Sequence, residues 1–324
     1  MATMKAVIYT KYGPPEVLQL QEIEKPAPKD QEVLVEVHAA SINAYDWRFL
    51  RGKPFILRLF GGLSKPKNPI VGADLAGRVE AVGGNVKKLR PGDEVFGCHR
   101  GAFAEYVCVP EDRLAVKPTS MTFEEAAALP MAGLTALQAL RDKGRIQPGL
   151  KVLIQGAGGG VGTFAVQIAR SFGTDVTAVC GPKNLDLAHS LGADHVIDYT
   201  QEDFTRSGQR YDLILAVNGY HSIFAYRRSL SRCGIYVVAG GSFPQLLQGL
   251  LLGPGLSLLG GRKMGSMLAR INTKDLDALS ALQQSGRIKP VVIAGRYPLS
   301  EVAEAVRDLE AGHAQGKVVI IVKA

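Results

Sequence analysis

Short runs of apolar residues, set with few polar ones, recur in the first third of the chain: MKAVIY (4–9), VLVEVHAA (33–40), GRVEAVG (77–83) and FAEYVCVP (103–110). Each run is rich in valine or other β-branched and aromatic residues and is predicted to be a strand. Glycine and proline punctuate the runs, at Gly13-Pro14-Pro15, Pro26, Pro28 and Pro91-Gly92. Short strands at that spacing predict a small barrel or sandwich, interrupted by one short helix or turn at 44–50.

Near residue 120 the pattern changes. Thr122 and Glu125 stand at the spacing of a capping box and predict the start of a short helix. A second helix is predicted over 131–142. Continuous apolar runs then alternate with helical ones: strands at 151–155, 175–180, 212–217 and 236–240, helices at 161–172 and 183–191. Buried strands separated by helices imply parallel βαβ units and a doubly wound sheet. Beyond 264 come a helix (274–285), a strand, a helix (301–310) and a last strand (317–323), too few elements for a domain. The fold class expected is α/β. A doubly wound unit over 119–263 is inserted into a β-rich unit made of 1–118 and 264–324.

Hydrophobic residues make up 46% and charged residues 21%, a globular mix that supports a core without covalent staples. Cys98, Cys108, Cys180 and Cys233 are spread widely and form no CxxC pair, which argues for a reducing, cytoplasmic location. The most apolar segment, 246–261, is shorter than the roughly 20 residues of a membrane span and is expected to break at Gly253-Pro254-Gly255. The net charge of +8 is scattered and suits an anionic cofactor. It is also compatible with nucleic acid or an acidic membrane, but no nucleic-acid motif supports the former.

The sharpest local signal is VLIQGAGGGVGTFAVQIAR (152–170), a buried strand, a glycine loop and an amphipathic helix in succession. Glycines let the backbone approach a pyrophosphate, and the helix N-terminus offers unpaired N–H groups and a partial positive charge. The usable register is Ala157-x-Gly159-x-x-Gly162, with alanine in the first position. Gly159, Gly160, Val161 and Gly162 are the candidate phosphate contacts. The next strand ends Val179-Cys180-Gly181-Pro182-Lys183 with no acid for a ribose hydroxyl. Lys183, 21 residues past Gly162, would attract a 2′-phosphate, so NADPH is expected rather than NADH. Tyr199 adds a hydroxyl nearby.

Taken together, SINAYDW (41–47), GADLAGRVEAVG (72–83), RPGDEVFG (90–97), GAFAEY (101–106), LPMAGLTAL (129–137), the glycine loop, SLGADHVIDY (190–199) and GKVVI (316–320) carry a resemblance. The chain resembles the medium-chain dehydrogenase/reductase superfamily, in its zinc-independent quinone-oxidoreductase (zeta-crystallin-like) branch, over nearly its whole length. The resemblance implies a GroES-like catalytic domain, an inserted Rossmann domain, a cleft between them and a homodimer. It places Gly181, Lys183 and Tyr199 at the 2′-phosphate, although members often carry serine at the position of Gly181. It places Asn43 and Thr135 near the nicotinamide and Asn218, Gly240, Gly241 and Ser242 in loops lining the nucleotide. Lys317 falls in the closing GKVVI segment.

Zinc-dependent members of the superfamily hold their catalytic metal with Cys, His and Cys, and the matching positions here are Asn43, Ala73 and Met131. No metal site is expected, since catalytic zinc needs about three Cys, His or carboxylate ligands. Cys98, His99 and Cys108 are read as thiols and a loop histidine. Without a Lewis acid, hydride donation to a quinone or an α,β-unsaturated carbonyl is the accessible reaction. Tyr45 is the phenolic candidate for a proton donor, or else a packing aromatic; Asp46 orients the site, or else caps the helix that starts there. The apolar stretches 55–62 and 246–259 are an acceptor rim, a subunit or domain contact, or a peripheral membrane contact. Two other readings stay open: an NADPH-holding protein without turnover, including one that binds nucleic acid, and a zinc alcohol dehydrogenase.

Overall fold

The computed structural model describes residues 2–292, 295–312 and 315–323. The chain begins with an antiparallel pair, β1 (Thr3–Ile8) and β2 (Gln19–Glu24). The long β3 (Glu32–Ile42) leads into two short helices, α1 (Ala44–Arg51) and α2 (Ile56–Gly61). Next come β4 (Asp74–Val82), β5 (Glu94–Cys98), β6 (Tyr106–Pro110), β7 (Leu114–Val116), α3 (Phe123–Ala128) and α4 (Pro130–Gln138). A regular alternation follows: β8 (Lys151–Gln155), α5 (Gly160–Ser171), β9 (Asp175–Cys180), α6 (Leu185–Ser190) and β10 (His195–Asp198). It continues with β11 (Tyr211–Ala216), α7 (Ile223–Ser229), β12 (Leu230–Val238), α8 (Phe243–Leu258) and β13 (Lys263–Ser266). The last elements are α9 (Thr273–Gln284), β14 (Gly295–Pro298), α10 (Val302–Glu310) and β15 (Val318–Ile321).

These elements form two compact units. One comprises Met1–Ala132, Ile271–Gln284 and Pro290–Ala324; the other comprises Gly133–Arg270 and Ser285–Lys289. Contacts therefore divide the chain somewhat later than 118/119 and 263/264. The reason at the first boundary is α3, whose buried Ala126, Ala127 and Ala128 form a small-residue face that packs on β3 and β4.

In the first unit a seven-stranded sheet runs β14-β15-β3-β4-β5-β7, with β6 also pairing β3. β3 lies at its centre, which is why its residues are nearly all buried rather than strictly alternating. The core is branched aliphatic and aromatic: Val33, Val35, Leu75, Val95 and Phe103 are buried, with Val318 and Ile320 from the other end of the chain. β15 pairs antiparallel with β3, Val318 opposite Ile42.

In the second unit six strands run β10-β9-β8-β11-β12-β13, all parallel. In order of appearance this is 3-2-1-4-5-6, the doubly wound Rossmann order, whose ligand crevice lies at the carboxyl ends of the first and fourth strands. Here those are β8 and β11.

One sequence expectation is corrected. The break foreseen at Gly253-Pro254-Gly255 does not occur, and α8 runs through Pro254. Proline removes an N–H from the helix ladder, yet neighbouring groups hold the turn. The Ser257 hydroxyl donates to Gly253 O at 2.7 Å. Gly253 lies so close to β13 that a Cβ there would stand 2.7 Å from Met264 O. Among the described residues no helix is long and apolar enough to cross a membrane.

Candidate cofactor and catalytic sites

In the second unit the loop after β8 meets α5 at Gly159, the residue preceding the helix. The first hydrogen bond of that helix is donated by Thr163 N to Gly159 O, at 2.9 Å. The N–H groups of Gly160, Val161 and Gly162 have no acceptor one turn back and carry the positive end of the helix dipole. The loop glycines differ in what surrounds them. A Cβ on Gly162 would stand 2.1 Å from Gly156 O, and one on Gly158 2.3 Å from the Asn184 side chain. Around Gly159 nothing but Gly156 O comes near, at 3.7 Å. Gly162 and Gly158 are thus required by close packing, whereas Gly159 leaves an open face beside the free N–H groups, as a bound phosphate would need.

The neighbouring loops close round the same strand ends. Gly156 packs against the Asn218 backbone, 2.9 Å from an added Cβ to Asn218 N. Gly240 packs against Val217 O, and Gly241, at φ +95°, against Gly219. Ser242 precedes α8, and its hydroxyl makes no capping bond to that helix. Thr135 lies in α4, 8% exposed.

Beyond β9, Gly181, Lys183 and Tyr199 come together. Tyr199 N donates to Cys180 O at 3.2 Å, because β10 pairs in parallel with β9 and Asp198 lies opposite Cys180. A Cβ on Gly181 would touch the Tyr199 ring at 3.3 Å. Lys183 is exposed on the short turn Pro182–Asn184. The carboxylate nearest in sequence to Tyr199, Asp198, accepts the N–H and hydroxyl of Thr200. A basic side chain and a phenol therefore occupy the strand end where an acid would select NADH.

In the first unit Asn43, Tyr45, Asp46 and Lys317 fall around a buried polar cluster centred on Asp74, which is 0% exposed. Asp74 Oδ1 accepts Met131 N at 3.0 Å. Asp74 Oδ2 accepts Asn43 Nδ2 at 2.9 Å and Ser41 Oγ at 3.2 Å. Lys317, 3% exposed, points inward: its ammonium donates to Asn43 Oδ1 at 2.6 Å and Ile42 O at 3.1 Å, and lies 3.4 Å from Asp74 Oδ2. Three acceptors match its three N–H donors. Buried Cys98 sits beside Asp74 and its thiol is held protonated, by burial first and then by the Asp74 charge.

Asn43 and Asp46 form a capping box at the start of α1, with Asn43 N donating to Asp46 Oδ2 at 2.7 Å. Asp46 Oδ1 has no hydrogen-bond partner among the described residues. Burial, reinforced by the Asp74 charge, pushes its pKa up to about 7 against the opposing Asn43 hydrogen bond. Tyr45 and Asp46 line a cavity of about 30 Å³, together with Tyr9, Phe49 and Arg100. That is room for a water molecule rather than an acceptor ring. Arg100 Nε donates to the Tyr45 hydroxyl. Burial raises the Tyr45 pKa, and the Arg100 guanidinium partly offsets the rise.

Three of these residues went unread in the sequence. Asp74 carried a signal, an acid directly before the apolar Leu75-Ala76 of a strand. Ser41 and Arg100 carried none, because their partners are distant in the chain. The set does not fit zinc. Both oxygens of Asp74 are engaged, and an ammonium already stands beside it. Cys98 and Cys108 lie on different strands, and no three His, Cys, Asp or Glu among the described residues group to hold a metal.

Comparison with known proteins agrees with this geometry. The alcohol dehydrogenase GroES-like domain family matches residues 29–119, and the family described as zinc-binding dehydrogenase matches 191–320. The 2-methylene-furan-3-one reductase of Solanum lycopersicum is 35% identical, over 98% of this chain and 79% of that protein. The chloroplastic NADPH-dependent alkenal/one oxidoreductase of Arabidopsis thaliana is 33% identical over the same shares. The structure of the quinone oxidoreductase from Coxiella burnetii superposes with a TM-score of 0.89 at 30% identity, over 99% of this chain and all of that one. With a Rossmann strand order, a matched GroES-like domain and relatives aligned over nearly the whole of this chain, the chain belongs to the medium-chain dehydrogenase/reductase superfamily, in its zeta-crystallin-like quinone-oxidoreductase branch.

Proposed function

We propose that the protein is a zinc-independent reductase that uses NADPH to reduce quinones or α,β-unsaturated carbonyls. The observation that carries the cofactor choice is the grouping of Gly181, Lys183 and Tyr199 at the end of β9, a strand that itself ends without an acid, while Asp198 on the neighbouring β10 is engaged by Thr200. A nicotinamide, when bound, supplies the hydride. The chain's own part begins at α5, whose first-turn N–H groups take a pyrophosphate through the open side of Gly159. Lys183 and the Tyr199 hydroxyl then favour a 2′-phosphate. The relatives named for quinones and for enone-type substrates support these two acceptor classes.

Reduction of either acceptor leaves negative charge on an oxygen. Asp46, with a pKa near 7 and a free Oδ1, is suited to deliver a proton by way of a water in the adjoining cavity. Tyr45 with Arg100 behind it forms a second donor. Lys317 and Asn43 act as positioning residues, holding Asp74 and the start of α1. The buried ammonium stands where a divalent ion would be repelled, which supports zinc independence.

A homodimer and a cytoplasmic location belong to the same proposal. β13 ends the six-stranded sheet, and Leu258, Leu259 and Leu268 beside it are 87%, 68% and 91% exposed, a face suited to a second copy. The four cysteines are unbridged, which supports a reducing compartment.

Loss of reduced-nicotinamide absorbance, followed with a quinone and with an enone, tests the proposal. NADPH should be oxidised much faster than NADH. Lys183→Glu should weaken NADPH binding about 10–100-fold, as expected for a hydrogen-bonded charge pair, and leave NADH binding unchanged. Tight NADPH binding without oxidation by either acceptor would favour a nucleotide-holding protein. Absence of NADPH binding would overturn the reading.

A further inference from the structure

The parallel sheet of the second unit has a second charged end. Arg210 precedes β11, Arg227 and Arg228 occupy the last turn of α7 just before β12, and Arg262 precedes β13. All four thus lie at the amino ends of strands, opposite the carboxyl ends that carry the glycine loop. They line one open pocket of about 330 Å³ with the ring of Phe224. That size falls in the lower part of the roughly 300–1,000 Å³ range of small-molecule pockets.

Among the described residues none of the four is in an ion pair, and no carboxylate lines the pocket. A helix C-terminus alone would attract Arg227 and Arg228, but it does not account for Arg210 and Arg262. Three of the guanidinium groups are aimed by backbone carbonyls. Arg210 Nη1 donates to Gly208 O and Gln209 O, both at 3.0 Å. Arg262 Nε donates to Ser231 O at 3.1 Å, and Arg227 Nη2 to Leu259 O. Each guanidinium has five N–H donors, so several remain on each. Arg227 Nε is buried and has no acceptor among the described residues. Asp212, on the adjacent strand β11, is occupied by Lys151 N and Ser231 Oγ.

We propose that Arg210, Arg227, Arg228 and Arg262 form a binding site for a phosphate-bearing anion, distinct from the nucleotide site. Planar guanidinium forks match phosphate oxygens two at a time. Four of them fit a diphosphate or a phosphorylated headgroup better than a single carboxylate.

The test is calorimetric titration of the full chain with inorganic pyrophosphate, for wild type, Lys183→Glu, Arg228→Gln and the double variant Arg228→Gln/Arg262→Gln. Arg228 is exposed and makes no hydrogen bond among the described residues, so its variant should keep the wild-type melting temperature. Pyrophosphate binding that NADPH does not displace should persist in Lys183→Glu, fall at least 10-fold in Arg228→Gln, vanish in the double variant, and weaken with salt, while the NADPH-displaceable binding of the glycine loop stays. In a parallel arm the chain is sedimented with phosphatidylcholine vesicles with and without phosphatidic acid. Retention on the acidic vesicles, displaced by pyrophosphate and lost in Arg228→Gln, would identify a lipid headgroup as the source. Pyrophosphate binding without vesicle retention would identify a soluble phosphate compound. Pyrophosphate binding that is absent, or unchanged in Arg228→Gln and the double variant, would overturn the site.

Discussion

Asp46 Oδ2 accepts the Asn43 N–H while Oδ1 meets only its buried surroundings, and the pKa of about 7 records that imbalance. Because the folded value lies above the ordinary 3.8, the folded state binds more protons than the unfolded state between about pH 4 and 7. The Asp46 contribution is therefore complete at low pH and is lost as pH rises through 7. Asp46→Asn keeps an acceptor for the cap and removes the titration. Denaturation across pH should show a variant with a flatter profile, more stable than wild type above pH 7 by at most a few kcal/mol. If Asp46 is the proton donor, turnover in the wild type should decline above pH 7, and the variant should lack that inflection. Lys317 offers the opposite case. Lys317→Met leaves Asp74 buried beside an apolar chain and should cost about 3–5 kcal/mol, read as a lower melting temperature. Asp74→Asn added to it should restore part of the loss.

At the scale of elements, the glycine loop separates packing from binding. Gly162→Ala puts a methyl 2.1 Å from Gly156 O and should lower both stability and nucleotide affinity. Gly159→Ala meets open space, so it should melt like wild type yet bind NADPH at least 10-fold more weakly. At the start of α3, Thr122→Ala removes the acceptor of Glu125 N and should cost about 1 kcal/mol in chemical denaturation. These elements were legible because their causes are local: the 151–155 strand, the 175–180 strand and the capping box stand where the period and the Thr–Glu spacing put them. Pro254 was read as a break because the sequence does not show that Ser257 and β13 hold the turn. The loop glycines and Lys183 could be listed by residue type and spacing, but not which of those glycines packs and which faces open space. The Asp74 cluster was out of reach for a related reason: Ser41, Asp74, Met131 and Lys317 are far apart in the chain and meet only once β3, β4 and the closing GKVVI segment are placed.

The molecule as a whole carries a net charge of +8, which should speed the approach of an anionic nucleotide. The association rate of NADPH, measured by stopped flow, should fall as salt rises, more steeply than that of NADH, because the extra phosphate adds charge. Chain order adds a constraint of a different kind. The doubly wound unit is nearly contiguous, whereas the sheet of the first unit has β15 inserted between β14 and the central β3. During synthesis, β3 emerges some 275 residues before the strand that covers that side of it, as its Ile42 pairing with Val318 shows. Until then the Ala39–Ile42 stretch of that edge stands open to neighbours, since β6 covers only Glu32–Glu36. The ribosome thus releases a chain whose inserted unit can already be folded and whose surrounding sheet is unfinished, and chaperones that shield open strand edges would be needed most in that interval.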